Sequence, residues 1–160
     1  MASRTRLAND AWEALLSAHA RLMKQFAAEA IWQDLSMREY DVLYTLSKRR
    51  EPARIGELHR HVLLSQPALS RMVDRLVERG LLERSPDPAD GRGVRLSLTG
   101  AGRDIQQQIG RRHARSVARA LTAELSPDQL RQLATTGWKL AGRPAATDTA
   151  TIHDKEFVRT

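Results

Sequence analysis

The residues with the clearest chemical potential are Ser65, Gln66, Pro67, Ser70, Arg71 and Arg75, a polar and partly basic set spaced along one helical face. The alternating positions Leu69, Met72, Val73 and Leu76 are apolar, so one side of this segment is expected to be buried and the other presented. A glutamine amide can pair with adenine in bidentate fashion and a guanidinium with the N7 and O6 of guanine, each worth about 1–3 kcal/mol of discrimination; a proline ring can touch a thymine methyl. A second candidate lies at Asp90-Gly91-Arg92-Gly93, where one arginine stands between two flexible glycines. Such an arginine suits a narrow minor groove, and Asp90 is placed to hold its guanidinium. Arg84 and Arg95 flank this segment and are candidates for phosphate, Arg95 being carried forward as a DNA contact.

The elements that would position these groups follow from periodicity and punctuation. Ser65 caps a helix with Pro67 in its first turn, where a missing amide hydrogen costs little, and Gly80 ends it. Ahead of it, Ile55, Leu58 and Val62 mark a short helix over about 55–62. Ser36 and Glu39 form a capping-box pattern that opens another helix, which must stop before Pro52. After Gly80, residues 81–84 and 94–98 read as two strands joined by a tip rich in Pro, Asp and Gly, with Val94, Leu96 and Leu98 alternating against Arg95 and Ser97. Helix, short helix, turn, helix and ribbon in that order give a helix-turn-helix carrying a β-wing, whose groove-sized helix suits duplex DNA.

Two longer helical regions flank this unit. Over residues 7–30 there is no Gly or Pro, and Ala8, Trp12, Leu15, His19, Leu22 and Phe26 recur at spacings of four and three; Leu16 and Met23 widen the stripe. Thr99 caps a helix running through Ile105, Ile109, Val117 and Leu121, and Ser126-Pro127-Asp128-Gln129 starts another. The expected fold class is therefore mainly α with a small β-wing. Its divisions are 1–35, an N-terminal dimerisation helix; 36–99, the winged helix-turn-helix; 100–142, C-terminal dimerisation helices; and 143–160, a tail.

Here the sequence resembles a known family. The run Ser65-Gln-Pro-Ala-Leu-Ser-Arg-Met-Val-Asp-Arg-Leu-Val-Glu-Arg-Gly-Leu-Leu, then Asp90-Gly-Arg92 and Leu98-Thr99-Gly-Ala-Gly102, is similar to the MarR family of bacterial transcription regulators, over residues from about 8 to 140. The resemblance implies a homodimer built by the terminal helices, a second short helix reading the major groove and a wing arginine entering the minor groove. It implies a pseudo-palindromic operator, a repressor, and often a small aromatic or anionic effector bound between the dimer region and the winged unit. Trp12, His19, Tyr40, Asp41 and Tyr44 are the candidates for that pocket. Trp12 with Asp41 echoes a urate-sensing branch, but that branch's extra N-terminal helix has no counterpart here, and the plainer expectation is a core Trp12 and an exposed Asp41.

Composition bounds the alternatives. The 160 residues carry 26 Lys+Arg against 19 Asp+Glu, a formal +7 that attracts polyanions. With no cysteine, disulfides, thiolate zinc sites, iron–sulfur clusters and thiol nucleophiles are excluded, and a reducing cytoplasm is the expected setting. No apolar run suffices to span a bilayer and no signal-peptide core opens the chain, so no membrane partner is expected. Aromatic residues make up 4%, too few and too scattered to stack single-stranded bases. His59 and His61, two apart, point to different helix faces, so neither a metal site nor a cofactor is expected. No Gly-x-Ser-x-Gly, phosphate-binding glycine loop or His-Glu-x-x-His supports an enzyme. The competing class is a basic architectural protein that coats duplex without sequence choice.

Overall fold

The computed structural model describes residues 2–142, except for the side chains of residues 2, 91 and 92. The expected tail over 143–160 lies outside the described residues. In chain order the elements are α1 (Ala2–Ala27), α2 (Met37–Ser47), β1 (Ala53–Arg54), α3 (Ile55–His59), α4 (Gln66–Glu78), β2 (Leu82–Asp87), β3 (Asp90–Leu98), α5 (Gly100–Thr122) and α6 (Pro127–Leu140). By its internal contacts the chain divides within α5 into two compact units, one up to His113 and one from Ala114. Among the described residues no helix is long and apolar enough to cross a membrane.

In the first unit the core is assembled from one face of each short helix and the inner face of a small sheet. Val42, Leu43 and Leu46 of α2, Leu58 of α3, Leu69, Val73 and Leu76 of α4, Leu82, Leu96 and Leu98 of the strands and Ile109 of α5 are all buried. Each such side chain contributes about 1.5–3 kcal/mol on removal from water. The capping box expected at Ser36 is present: its hydroxyl accepts from Glu39 N at 3.2 Å and its own amide donates to Glu39 Oε2 at 2.8 Å. α4 ends in a Schellman motif, with Gly80 at φ 69°, Leu81 N on Leu76 O at 2.9 Å and Gly80 N on Val77 O at 2.9 Å. The glycine is needed there because other side chains rarely adopt that backbone.

Three findings depart from the sequence reading. The sheet has three strands in the order β1-β3-β2, not two, because Ala53 and Arg54 pair antiparallel with Leu96 and Arg95. A two-residue strand has no periodicity of its own and exists only through its partner. α3 stops at His59, short of Val62, with Arg60 as its C-cap. The wing strands extend further than expected, to Asp87 and from Asp90, although Val94 at the outer end is exposed while Leu96 and Leu98 are buried.

α1 is exposed along residues 3–21 and first becomes buried at Phe26. Its C-terminal end leads into a turn where Trp32 Nε1 donates to Phe26 O at 2.8 Å. The ring of His113 lies 5.2, 5.1 and 5.8 Å from the rings of Phe26, Trp32 and Tyr40, between centroids. The second unit contains α6, whose start is the capping box predicted from Ser126 and Gln129, with Gln129 Oε1 accepting from Ser126 N at 2.9 Å. Leu133, Trp138 and Leu140 are exposed on it.

Candidate nucleic-acid interface

α4 presents the polar face that its spacing predicted. Leu69, Met72, Val73 and Leu76 are buried, while Ser65, Gln66, Pro67, Arg71 and Arg75 are exposed and Ser70 is half-buried. Ser65 Oγ accepts from Ala68 N at 3.4 Å, fixing the first turn. Arg71 and Arg75 stand one turn apart, and no ion pair or hydrogen bond of their side chains occurs among the described residues. A helix gripped by four apolar residues and offering an amide, a hydroxyl and two unengaged guanidinia can lay its outer side chains against base edges and phosphates.

Four ion pairs tie this helix and the wing to their surroundings. Asp74, on the outer side of α4, pairs with Arg84 of β2. Arg79, at the C-cap, donates to Asp34 O at 2.9 Å and lies 3.6 Å from Glu39, the same carboxylate that closes the α2 capping box. At the wing, Asp87 is wholly hidden from solvent and bonded to Arg54 Nε, with Ala89 N donating to its Oδ1 at 3.0 Å. Arg95 Nε is 3.1 Å from the same Oδ1, an ion pair whose N–H is not aimed at the oxygen, and Arg95 also donates to Pro52 O at 3.3 Å. The hydrogen bond from Arg54, the amide of Ala89 and the neighbouring Arg95 hold the Asp87 carboxyl down to about 2.

Arg84 and Arg95, read as phosphate candidates, are thus each engaged with a carboxylate of the chain itself. Arg95 is half-buried, with β1 paired beside it and Asp87 within ion-pair distance. The side chain of Arg92 lies outside the described residues, and with it the pairing expected with Asp90. Asp87 and Arg54 were not singled out in the sequence; the only signal was an aspartate between two prolines, in Pro86-Asp87-Pro88.

The five residues expected to line an effector pocket are not gathered. Trp12 is 59% exposed, contrary to the core position expected, and His19 is exposed on the same helix. Neither makes a ring contact or hydrogen bond with α2 among the described residues. Tyr40, Asp41 and Tyr44 do cluster: the two phenol rings stack at 5.9 Å and Lys48 Nζ lies 4.0 Å from the Tyr44 ring centre. Asp41, expected to be exposed, is half-buried, and burial pushes its carboxyl up to about 6. Burial likewise pushes Tyr40 up to about 12, with the neighbouring Gln106 pulling the other way. An open cleft lies elsewhere, between α3 and the wing, bordered by Arg54, Glu57, Arg60 and Val94. Among the described residues no three metal-ligating side chains come together.

A helix-turn-helix of α3 and α4, braced by α2 and followed by a β-hairpin, defines a winged helix-turn-helix protein. Residues 35–94 match the model of the MarR family. The multiple antibiotic resistance protein MarR of Escherichia coli is 38% identical over 77 residues, 48% of this chain and 54% of that protein. The chain therefore matches about half the length of that curated relative. Among solved structures, AbsC, a MarR family transcriptional regulator from Streptomyces coelicolor, aligns with a TM-score of 0.72 at 25% identity, covering 84% of this chain and 90% of that one. A mutant E. coli MarR complexed with operator DNA aligns with a TM-score of 0.68 at 27% identity, covering 80% of this chain and 91% of that one. Over these stretches the chain is similar to the MarR family and to transcriptional regulators within it.

Proposed function

We propose that this protein is a sequence-specific DNA-binding regulator that acts as a homodimer on a pseudo-palindromic operator and represses by occupying it. The observation that carries this reading is the outer face of α4, where Gln66, Ser70, Arg71 and Arg75 project from a helix whose opposite face is locked in the core. Arg92, at the wing tip, supplies a minor-groove contact. Ser65 and Pro67 set the first turn, and Asp90 and Arg95 belong to the wing that carries Arg92. The relative solved with operator DNA has the same fold. A dimer is supported by the apolar residues Leu7, Trp12, Leu15 and Leu16, exposed together on α1, a surface a single chain leaves in water.

An effector, where one acts, must bind one dimer geometry better than the other, since equal affinity shifts nothing. The Tyr40, Asp41 and Tyr44 cluster supplies a carboxyl and two phenols, which favours the aromatic over the anionic of the two ligand classes that the family resemblance implies.

Selection from a pool of random duplexes at near-physiological salt tests the function. The expected product is an inverted repeat with half-sites about one helical turn apart. The net charge of +7 favours the second reading, an architectural protein that coats any duplex. No enrichment, with one salt slope for every duplex, would establish that alternative instead.

A further inference from the structure

We infer that Asp87 is a positioning residue that sets the attitude of the wing, acting through Arg54 and Arg95 without touching DNA. The inference rests on the reading of the wing as a DNA contact, and it concerns a carboxylate that neither the recognition helix nor the wing tip uses.

Five observations converge. An acidic group beside a polyanion site is a liability when exposed, yet the Asp87 side chain is completely hidden. Its two oxygens are held from three directions: by Arg54 of β1, which leads directly into α3, by Arg95 of β3, and by the Ala89 amide in the turn. One carboxylate therefore ties the edge strand next to the helix-turn-helix to both arms of the hairpin. The strand register shifts between Pro86 and Asp87, and irregularities of this kind re-aim a side chain. Gly93 closes over the group: a Cβ there would lie 2.9 Å from Asp87 Cβ and 3.2 Å from Asp90 O. Glu57 and Asp90 add negative charge around Arg54, so its guanidinium is neutralised locally instead of being presented as a free cation.

The arrangement resists loosening. Asp87 is the hidden member and the two arginines reach it from the partly exposed side, so losing either arginine leaves a buried carboxylate less well compensated, and the wing keeps one orientation as long as all three are present. Positioning and plain electrostatics then predict opposite signs for the same substitution. Asp87→Asn preserves shape, raises the net charge by one and releases two guanidinia. Phosphate neutralisation alone would leave duplex binding unchanged or make it tighter.

The test compares wild type and D87N on the selected operator and on a random duplex, each across a salt series. Operator affinity is expected to fall on the order of five-fold, as for other coupled network residues, with random-duplex affinity unchanged or higher and the salt slope not reduced. Reselection with D87N should lose preference at the base pairs flanking the α4 contacts and keep it at the centre. D87N binding the operator as tightly as wild type, with the same flanking preference, overturns the inference. Should D87N unfold the wing, Arg54→Lys gives the second reading: it keeps the charge but not the fork that meets Asp87, so operator affinity should still fall. Wild-type affinity for R54K overturns the inference. A wild-type protein that selects no sequence overturns both the inference and the function on which it rests, whereas a selective wild type with an equally selective D87N overturns the inference alone.

Discussion

At the scale of single residues, the most informative departures are charges that moved inward. Asp41 sits on the rim of the aromatic cluster, and its carboxyl rises from 3.8 to about 6 because burial disfavours the ionised form. Between those values the unfolded chain loses its proton first, so this group lowers stability as pH climbs through the window, with the full cost above it. Asp41→Asn is therefore expected to stabilise the protein at pH 7.5 by about 1 kcal/mol after allowing for screening of a partly exposed group, and the gain should shrink toward pH 4. Denaturant unfolding at the two pH values checks this; an equal gain at both would remove the ionisation argument. His113 works from the other side. Burial among Phe26, Trp32 and Tyr40 lowers its pKa, so its contribution is present above the ordinary 6.5 and is lost on acidification below it. The exposed face of α4 was legible in the sequence because helical spacing alone separates Gln66 and Arg71 from Leu69 and Met72. The Asp87 network was not, because its members, Arg54, Asp87 and Arg95, are brought together only by a strand too short to carry a pattern.

At the scale of elements, capping and punctuation carried the reading. Ser36, Ser65 and Ser126 each cap the helix expected of them. What sequence could not supply was the joint between the wing and α5, where backbone passes against backbone. A Cβ on Gly102 would lie 1.9 Å from Leu81 O, whereas one on Gly100 would meet nothing within 4 Å. Gly102→Ala is accordingly expected to cost about 2 kcal/mol or more, since the main chain has nowhere to retreat. Gly100→Ala should be neutral or slightly stabilising, at most about 1 kcal/mol. Thermal melts of the two variants decide the matter: equal midpoints would show that the close approach is not as tight as described. The short α3 illustrates the opposite limit, in that Ile55, Leu58 and Val62 fit a helical stripe although the helix stops at His59.

At the scale of the whole molecule, the fold class was readable from the order of elements, while the proposed partner surface is argued only from what the single chain leaves uncovered. Leu7, Trp12, Leu15 and Leu16 remain in solvent on α1, and Trp12, Leu15 and Leu16 belonged to the apolar stripe in the sequence. Changing Leu15 and Leu16 together to Glu is expected to yield a monomer by sedimentation and to weaken operator binding roughly a hundred-fold or more, because the second half-site is no longer held at high effective concentration. A variant that still sediments as a dimer would place the interface elsewhere. One small joint constrains all of this. The Thr99 hydroxyl donates to Gly80 O at 2.7 Å and accepts from Gly102 N at 3.0 Å, so the end of α4, the last residue of the wing and the first turn of α5 meet at a single oxygen. Adding one residue in this junction would turn α5 by about 100° about its own axis. Gly102, Gln106, Ile109 and Gly110, which now face inward, would swing toward water. An extra residue in the turn at Pro88 and Ala89 would leave α5 unrotated, and its effect would fall instead on the Ala89 amide that holds Asp87.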